Sequence, residues 1–143
     1  MATLTAANSV LTLTATPLYP VPVHLQGYAA DDAFTAAEVE MVETLMGVDG
    51  KLSGGYTPYP VPFEFTLQAD SASNIIMDLI MDYQDTMREV MGFSASVMIP
   101  SLSMVYVLSN GFFTKGSSMS TAKKIMQPRK FSFVFNNILR TPM

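Results

Sequence analysis

The 143-residue chain contains no cysteine and no tryptophan, a single histidine, and charged side chains at only 14% of its positions. Without cysteine it can have neither a disulfide framework nor a thiolate metal site. His24 alternates with Gln26 in a strand-like run, and no second histidine exists to complete a metal site or a base–nucleophile pair, so it reads as an ordinary strand residue. The glycines at 47, 50, 54 and 55 are not followed by Lys-Ser/Thr at a helix start, which excludes a phosphate-binding loop. No serine sits in a nucleophile elbow. Neither Asp31-Asp32 nor Asp49-Gly50 has the alternating oxygen ligands of a calcium loop. These absences predict no catalytic residue, no cofactor and no bound metal. The first residues lack the basic start and long apolar run of a secretory signal. Asp78, Asp82 and Asp85 interrupt the most hydrophobic helix candidate, which excludes a membrane-spanning helix and predicts a soluble protein made in the cytoplasm.

Charge is also missing by region. The first thirty residues and residues 90–114 carry no Asp, Glu, Lys or Arg. All twelve acids lie between Asp31 and Glu89, where Lys51 and Arg88 are the only bases, giving −12 + 2 = −10. Six of the eight bases lie between Lys115 and Arg140 with no acid among them, giving +6. Either one fold neutralises this polarity internally, or a subunit offers an acidic face to the basic face of its own copy. Heterologous contacts of that second kind build rings or filaments. A charged fraction well below the usual quarter points to covered surface, hence to an oligomer. Twelve methionines suit adaptable contact surfaces in the same way. Lys123-Lys124 and Arg129-Lys130 lack a broader basic surface, and with a pI near 4.7 they fit an acidic protein face better than a nucleic acid.

What is present is mostly strand. Residues 9–15 alternate apolar residues with threonine, and 21–27 place Val21, Val23 and Leu25 on one face. In 63–69, Phe63, Phe65 and Leu67 oppose Glu64, Thr66 and Gln68; in 131–137, Phe131, Phe133 and Phe135 oppose Ser132, Val134 and Asn136. Residues 96–99 and 104–109 are apolar runs of strand length, and Asn110-Gly111 after them is the dipeptide best suited to a tight hairpin. Five or six strands with a polar second face predict a mainly β (α+β) fold whose sheet is antiparallel and partly wet. YPVP occurs at 19–22 and again at 59–62, each time stiffening entry into an alternating strand.

One amphipathic helix is predicted over 71–91. Asp70, Ser71 and Ser73 offer capping oxygens before it and Gly92 stands ready to end it. Its apolar stripe is Ile76, Leu79, Ile80, Tyr83, Met87 and Val90, and the stripe Asp78, Asp82, Asp85, Glu89 lies opposite. Residues 34–46 predict a short helix, with Thr35 and Glu38 as a capping box, although Glu38-Val39-Glu40-Met41 also alternates like a strand. Between that stretch and the strand at 63, residues 46–62 pack four glycines and three prolines, a connector too long for an ordinary turn.

The order of these motifs carries a resemblance. The run 26–73, containing Met46-Gly47-Val48-Asp49-Gly50, Gly55-Tyr56-Thr57-Pro58 and Leu67-Gln68-Ala69-Asp70-Ser71 before the helix, resembles the tail tube proteins of contractile-tailed bacteriophages. The likeness covers the chain from about residue 20 and leaves residues 1–19 as a less familiar N-terminal segment within a single domain, 1–143. It implies an antiparallel β-sandwich or partial barrel with one flanking helix, assembled as homohexameric rings stacked into a hollow tube in the virion tail, with a surrounding tail sheath protein, and baseplate and tail terminator proteins as further partners. It also implies DNA in transit without specific binding, and no membrane. On this view Gly47, Asp49, Gly50, Lys51, Gly54, Gly55 and Tyr56 form an inter-subunit arm. Glu64, Thr66 and Gln68 face the lumen, and Asp78, Asp82, Asp85 and Glu89 face the sheath. The alternatives are another ring-forming β-protein, such as a secretion-system tube or a tail terminator, and a small β-barrel that binds an apolar ligand.

Overall fold

The computed structural model describes residues 9–16, 19–26, 28 and 34–142. Nine strands and one α-helix follow in chain order: β1 Val10–Thr16, β2 Tyr19–Leu25, β3 Phe34–Ala36, β4 Val42–Met46, β5 Leu52–Tyr56, β6 Val61–Leu67, α1 Ser73–Met87, β7 Gly92–Ile99, β8 Met104–Gly116 and β9 Arg129–Pro142. Seven of the strands form one sheet in the order β2-β1-β7-β8-β9-β6-β3, every described neighbour antiparallel. The remaining two, β4 and β5, pair only with each other.

The core lies on one face of the seven-stranded sheet. The period of two that marks 10–15, 61–67 and 131–135 in the sequence turns Leu11, Leu13, Ala15, Val61, Phe63, Phe65, Leu67, Phe131, Phe133 and Phe135 inward, all buried. Leucines of β1 and phenylalanines of β6 belong to one cluster although three strands separate them, so the sheet curls on itself. It does not close: β2 and β3 remain its edges. The proline-bearing strand β2 is thus an edge strand, as the sequence predicts, while Pro62 is the second residue of β6. The aromatic interior is continuous, with Phe93 and Phe133 edge to face at 5.2 Å, Phe113 and Phe133 at 4.9 Å, and Phe65 stacked on Phe133 at 5.7 Å. Each buried ring stabilises by about 1.5–3 kcal/mol through area alone, and favourable ring pairs add about 0.5–1.5 kcal/mol.

Four local expectations fail, each for a physical reason. Residues 34–46 are not helical: Phe34–Ala36 pair in register with Phe65–Phe63, and Val42–Met46 form a strand. The capping box loses there because Phe34 gains a place beside the core and an edge contact with Tyr28 at 4.7 Å. Asn110-Gly111 does not turn the chain. It is a bulge inside the thirteen-residue strand β8, with Asn110 at φ 54° and the register slipping opposite Phe93/Ala95. Glycine is required at 111, since a Cβ there would lie 2.2 Å from the Phe135 ring. The reversal between β7 and β8 is made instead by a 3-10 turn, Pro100–Leu102, and left-handed Ser103.

The helix is also shorter and rotated relative to its prediction. Arg88, in the left-handed conformation, closes it four residues before Gly92, which instead begins β7. Ala72 at its N-cap supplies no side-chain cap; Ser71 Oγ accepts the Ser73 N–H at 3.2 Å and donates to the Gln26 carbonyl. Ser73 Oγ accepts the Gln26 N–H at 2.8 Å, and Asn74 Nδ2 donates to the Gln68 carbonyl at 2.9 Å. Those ties turn Ser73, Asn74, Met77 and Ile80 inward and leave Ile75, Leu79, Met87 and the downstream Val90 exposed, 49–69%. Among the described residues no helix is long and apolar enough to cross a membrane.

Candidate assembly surfaces

The connector at 46–62 is ordered: its first half closes a hairpin and its second half leads into β6. Val42 pairs with Tyr56 and Met46 with Leu52. Between them Gly47 N–H donates to the Lys51 carbonyl at 2.8 Å and Gly50 N–H to the Gly47 carbonyl at 3.0 Å. Asp49 accepts the Lys51 N–H at 3.2 Å, and Gly50 adopts φ 83°, which explains a glycine at that step. Gly54 packs under Val42, while Gly55 has open space beside it. Every residue of both strands is exposed. Val42, Met46, Leu52 and Tyr56 share one face by register and Leu45 stands exposed on the other, so the hairpin offers water apolar side chains on both faces. Gly47, Asp49, Gly50, Lys51, Gly54, Gly55 and Tyr56 all lie on this hairpin.

The expected sheath-facing stripe is divided. Asp78 Oδ1 accepts Arg129 Nη2 at 2.6 Å; Arg129 is buried, donates also to the Ser117 carbonyl at 2.6 Å, and lies over the Phe131 ring at 5.2 Å. Asp78 is thus half-buried by an internal partner. Glu89 lies past the helix end, where the chain has already reversed at Arg88. Asp82 and Asp85 remain exposed on the helix.

The expected lumen set is divided as well. Glu64 and Thr66 lie on the sheet face away from the core, whereas Gln68 follows the end of β6. Glu64 is not an isolated anion. Lys130 Nζ reaches Glu64 Oε2 at 3.0 Å, and Ser132 Oγ donates to Oε1 at 3.2 Å. The Lys130 hydrogen bond holds this carboxyl below the usual range; slight desolvation opposes it, and the Lys130 charge, Ser132 and Lys115 add to the lowering. On the same face Thr12 pairs with Ser96 and Thr14 with Ser94, an array of hydroxyls that sequence reasoning missed. The signal was the alternating threonines of 10–16 and serines of 94–96 within the two regions free of charge.

One isolated bridge crosses between the sheet's two sides without closing it. Tyr28 makes an isolated bridge to Leu67, accepts the Leu11 N–H at 3.2 Å and donates to the Leu25 carbonyl. Burial pushes its hydroxyl up to about 12, against a smaller opposing effect of the Leu11 hydrogen bond. Helix α1 fills the concave side near Leu67 and Arg129. Toward Val61 a cleft of about 380 Å³ stays open, lined by Phe34, Val39, Tyr59, Ile99, Tyr106 and Ile138 with Glu38 and Arg140. Among the described residues no three His, Cys, Asp or Glu side chains gather as metal ligands.

A curled, unclosed antiparallel sheet with one helix at its concave side is shared with chains of contractile injection systems. One comes from the extended sheath–tube complex of the extracellular contractile injection system PVC, with TM-score 0.61, 9% identity, and 99% of this chain and 93% of that one covered. Another is from the baseplate of the anti-feeding prophage, with TM-score 0.64, 10% identity and coverages of 99% and 98%. A third is from that prophage's tube-terminating cap, with TM-score 0.62, 8% identity and coverages of 100% and 93%. At such identities the likeness is one of fold. Sequence supplies the family: the model described as tail fiber protein gp32 matches residues 2–139, and the chain belongs to that family. No protein of curated function matches it in sequence.

Proposed function

We propose that this chain is the inner tail tube subunit of a contractile-tailed bacteriophage. Six copies close a ring and rings stack into a hollow tube, with a contractile sheath outside and baseplate and terminator proteins at the ends. DNA passes down the bore without specific binding, and the tube is assembled in the host cytoplasm as part of the virion. The observation that carries the reading is that the single-domain fold matches chains of contractile assemblies almost end to end, with TM-scores of 0.61 and 0.64. The family's description as a tail fiber protein agrees on the tail and differs on the part. A tube is favoured by the unclosed sheet, whose edges β2 and β3 leave backbone donors and acceptors for neighbouring copies.

In this reading the hydroxyl face of Thr12, Thr14, Ser94 and Ser96, continuing to Glu64 and Thr66, lines the bore. A wall of hydroxyls with its one acid neutralised by Lys130 offers phosphates no fixed cation array and lets a duplex slide. Asp82 and Asp85 on exposed α1 face the sheath.

Negative-stain images of the purified chain test the assignment. Hollow tubes are expected. Isolated rings that never stack would move the chain to a terminator, and a monomer whose melting temperature rises with apolar ligand would make the cleft a binding site. Once tubes are in hand, Thr12→Lys with Ser96→Lys should slow genome ejection without stopping tube growth. Asp82→Lys with Asp85→Lys should weaken sheath decoration alone. Unchanged ejection or decoration would displace those faces from their roles.

A further inference from the structure

The fold carries two exposed, oppositely charged apolar projections, and we propose that each is the other's seat on a neighbouring copy: the β4–β5 hairpin of one subunit docks on the 117–128 loop of the next. The inference rests on the tube reading for self-association and adds which surfaces meet.

The hairpin needs a partner. Two strands without a third are marginal in water, and Leu45, Met46, Val48 and Leu52 are 75%, 61%, 110% and 61% exposed. With its stem it carries Glu38, Glu40, Glu43 and Asp49 against Lys51, so −4 + 1 = −3. The loop between β8 and β9 is its complement. Met119, Ile125 and Met126 are 72%, 77% and 49% exposed, and Lys123 and Lys124 stand between them with no acid in the segment. The acids near the loop's base are already engaged, Asp78 with Arg129 and Glu64 with Lys130. Among the described residues no acid lies within ion-pair distance of Lys123 or Lys124.

The register then decides between contact within a molecule and contact between molecules. The hairpin leaves the sheet after Ala36 and returns at Val61, opposite Phe135. The loop leaves after Gly116, opposite Phe131, and returns at Arg129, opposite Leu67. Six residues of β6 separate the two sites, roughly 20 Å at about 3.3 Å per residue. Opposite ends of one body meet by translation onto a second copy, and such a heterologous contact repeats without closing, as stacking requires. The acids of α1 are the competing partner for the loop. They stand at the loop's own end, tied there through Asp78 to Arg129, so the same translation carries them away from it. Exposed ion pairs contribute only about 0–1 kcal/mol each. The apolar faces therefore supply affinity, while charge sets partner and orientation.

Charge exchange tests this. K123E/K124E has two acidic projections and E40K/E43K has two basic ones; all four positions are exposed, so both chains should fold with wild-type circular dichroism and melting temperature. Each alone should lose at least tenfold of its sedimentable polymer at low salt, and an equimolar mixture should recover it with both chains present equally. Should either variant polymerise like the wild type beside it, or two folded variants fail to co-assemble, the contact is wrong while the tube reading stands. A wild-type chain that never assembles in the same run overturns both.

Discussion

Asp78 looks like one rung of a surface acidic ladder, but the structure makes it the counter-charge of a buried guanidinium, so replacing it should act on folding. Arg129 is 5% exposed and Asp78 Oδ1 sits 2.6 Å from its Nη2. Asp78→Ala leaves that cation with the Ser117 carbonyl and the Phe131 ring as its remaining partners. Removing one member of a fully buried pair costs about 3–5 kcal/mol. The Asp78 side chain is 48% exposed, so water reaches the vacated site and the cost falls to roughly 1–3 kcal/mol. For a chain of this size that lowers the melting temperature by about 3–10 °C. Urea unfolding should be followed at concentrations where sedimentation finds single subunits, with Asp82→Ala as the control, expected within about 0.5 kcal/mol of wild type. A double-mutant cycle with Arg129→Met should recover much of the loss, because the orphaned charge goes too. If Asp78→Ala and Asp82→Ala unfold alike, the pair contributes nothing and Asp78 returns to the surface stripe.

Three further outcomes follow from the packing. Gly111→Ala places a methyl group 2.2 Å from the Phe135 ring, so it should cost about 1–3 kcal/mol by denaturant unfolding. Tyr28→Phe removes the hydroxyl that joins Leu11 and Leu25, and a loss near 1–2 kcal/mol is expected at neutral pH. Because the Tyr28 hydroxyl is raised in the folded state from an ordinary 10 to about 12, its contribution is intact below pH 10 and drains away as pH climbs to 12; a pH titration of stability should show that alkaline decline in the wild type and less of it in Tyr28→Phe. Replacing Val42–Tyr56 by a short flexible link should leave the melting temperature nearly unchanged and abolish polymer, since every residue of both strands is exposed in its own subunit.

Where burial and period agree, the strands were legible: Phe63, Phe65 and Leu67, and Phe131, Phe133 and Phe135, fall on the inward face as their alternation demands. The existence of α1 was legible too, but not its rotation. Ser73 and Asn74 are buried because Gln26 and Gln68 hold them by hydrogen bonds across 47 and 6 residues of chain, and no helical wheel contains those partners. Likewise Asp78 and Glu64 looked like members of free polar faces until register brought Arg129 and Lys130 beside them. The glycines at 47, 50, 54 and 55 marked an unusual segment, yet the strand running through Gly54 and Gly55 was hidden, since glycine carries no strand preference of its own. The lysines at 123 and 124 were visible as an isolated basic pair; only topology put them at the end of the sheet opposite the acidic hairpin.

The Asn110-Gly111 bulge has a kinetic consequence. A dipeptide that closes hairpins within microseconds stands in the middle of the second-longest strand, so early in folding the halves 104–109 and 112–116 can zip against each other. That shortcut must come undone before β9 can lie along the whole of β8, where Phe113 meets Phe133 at 4.9 Å. The residue pair that bends the finished strand can therefore also seed a competing hairpin on the way to it, a local preference set against the global pairing.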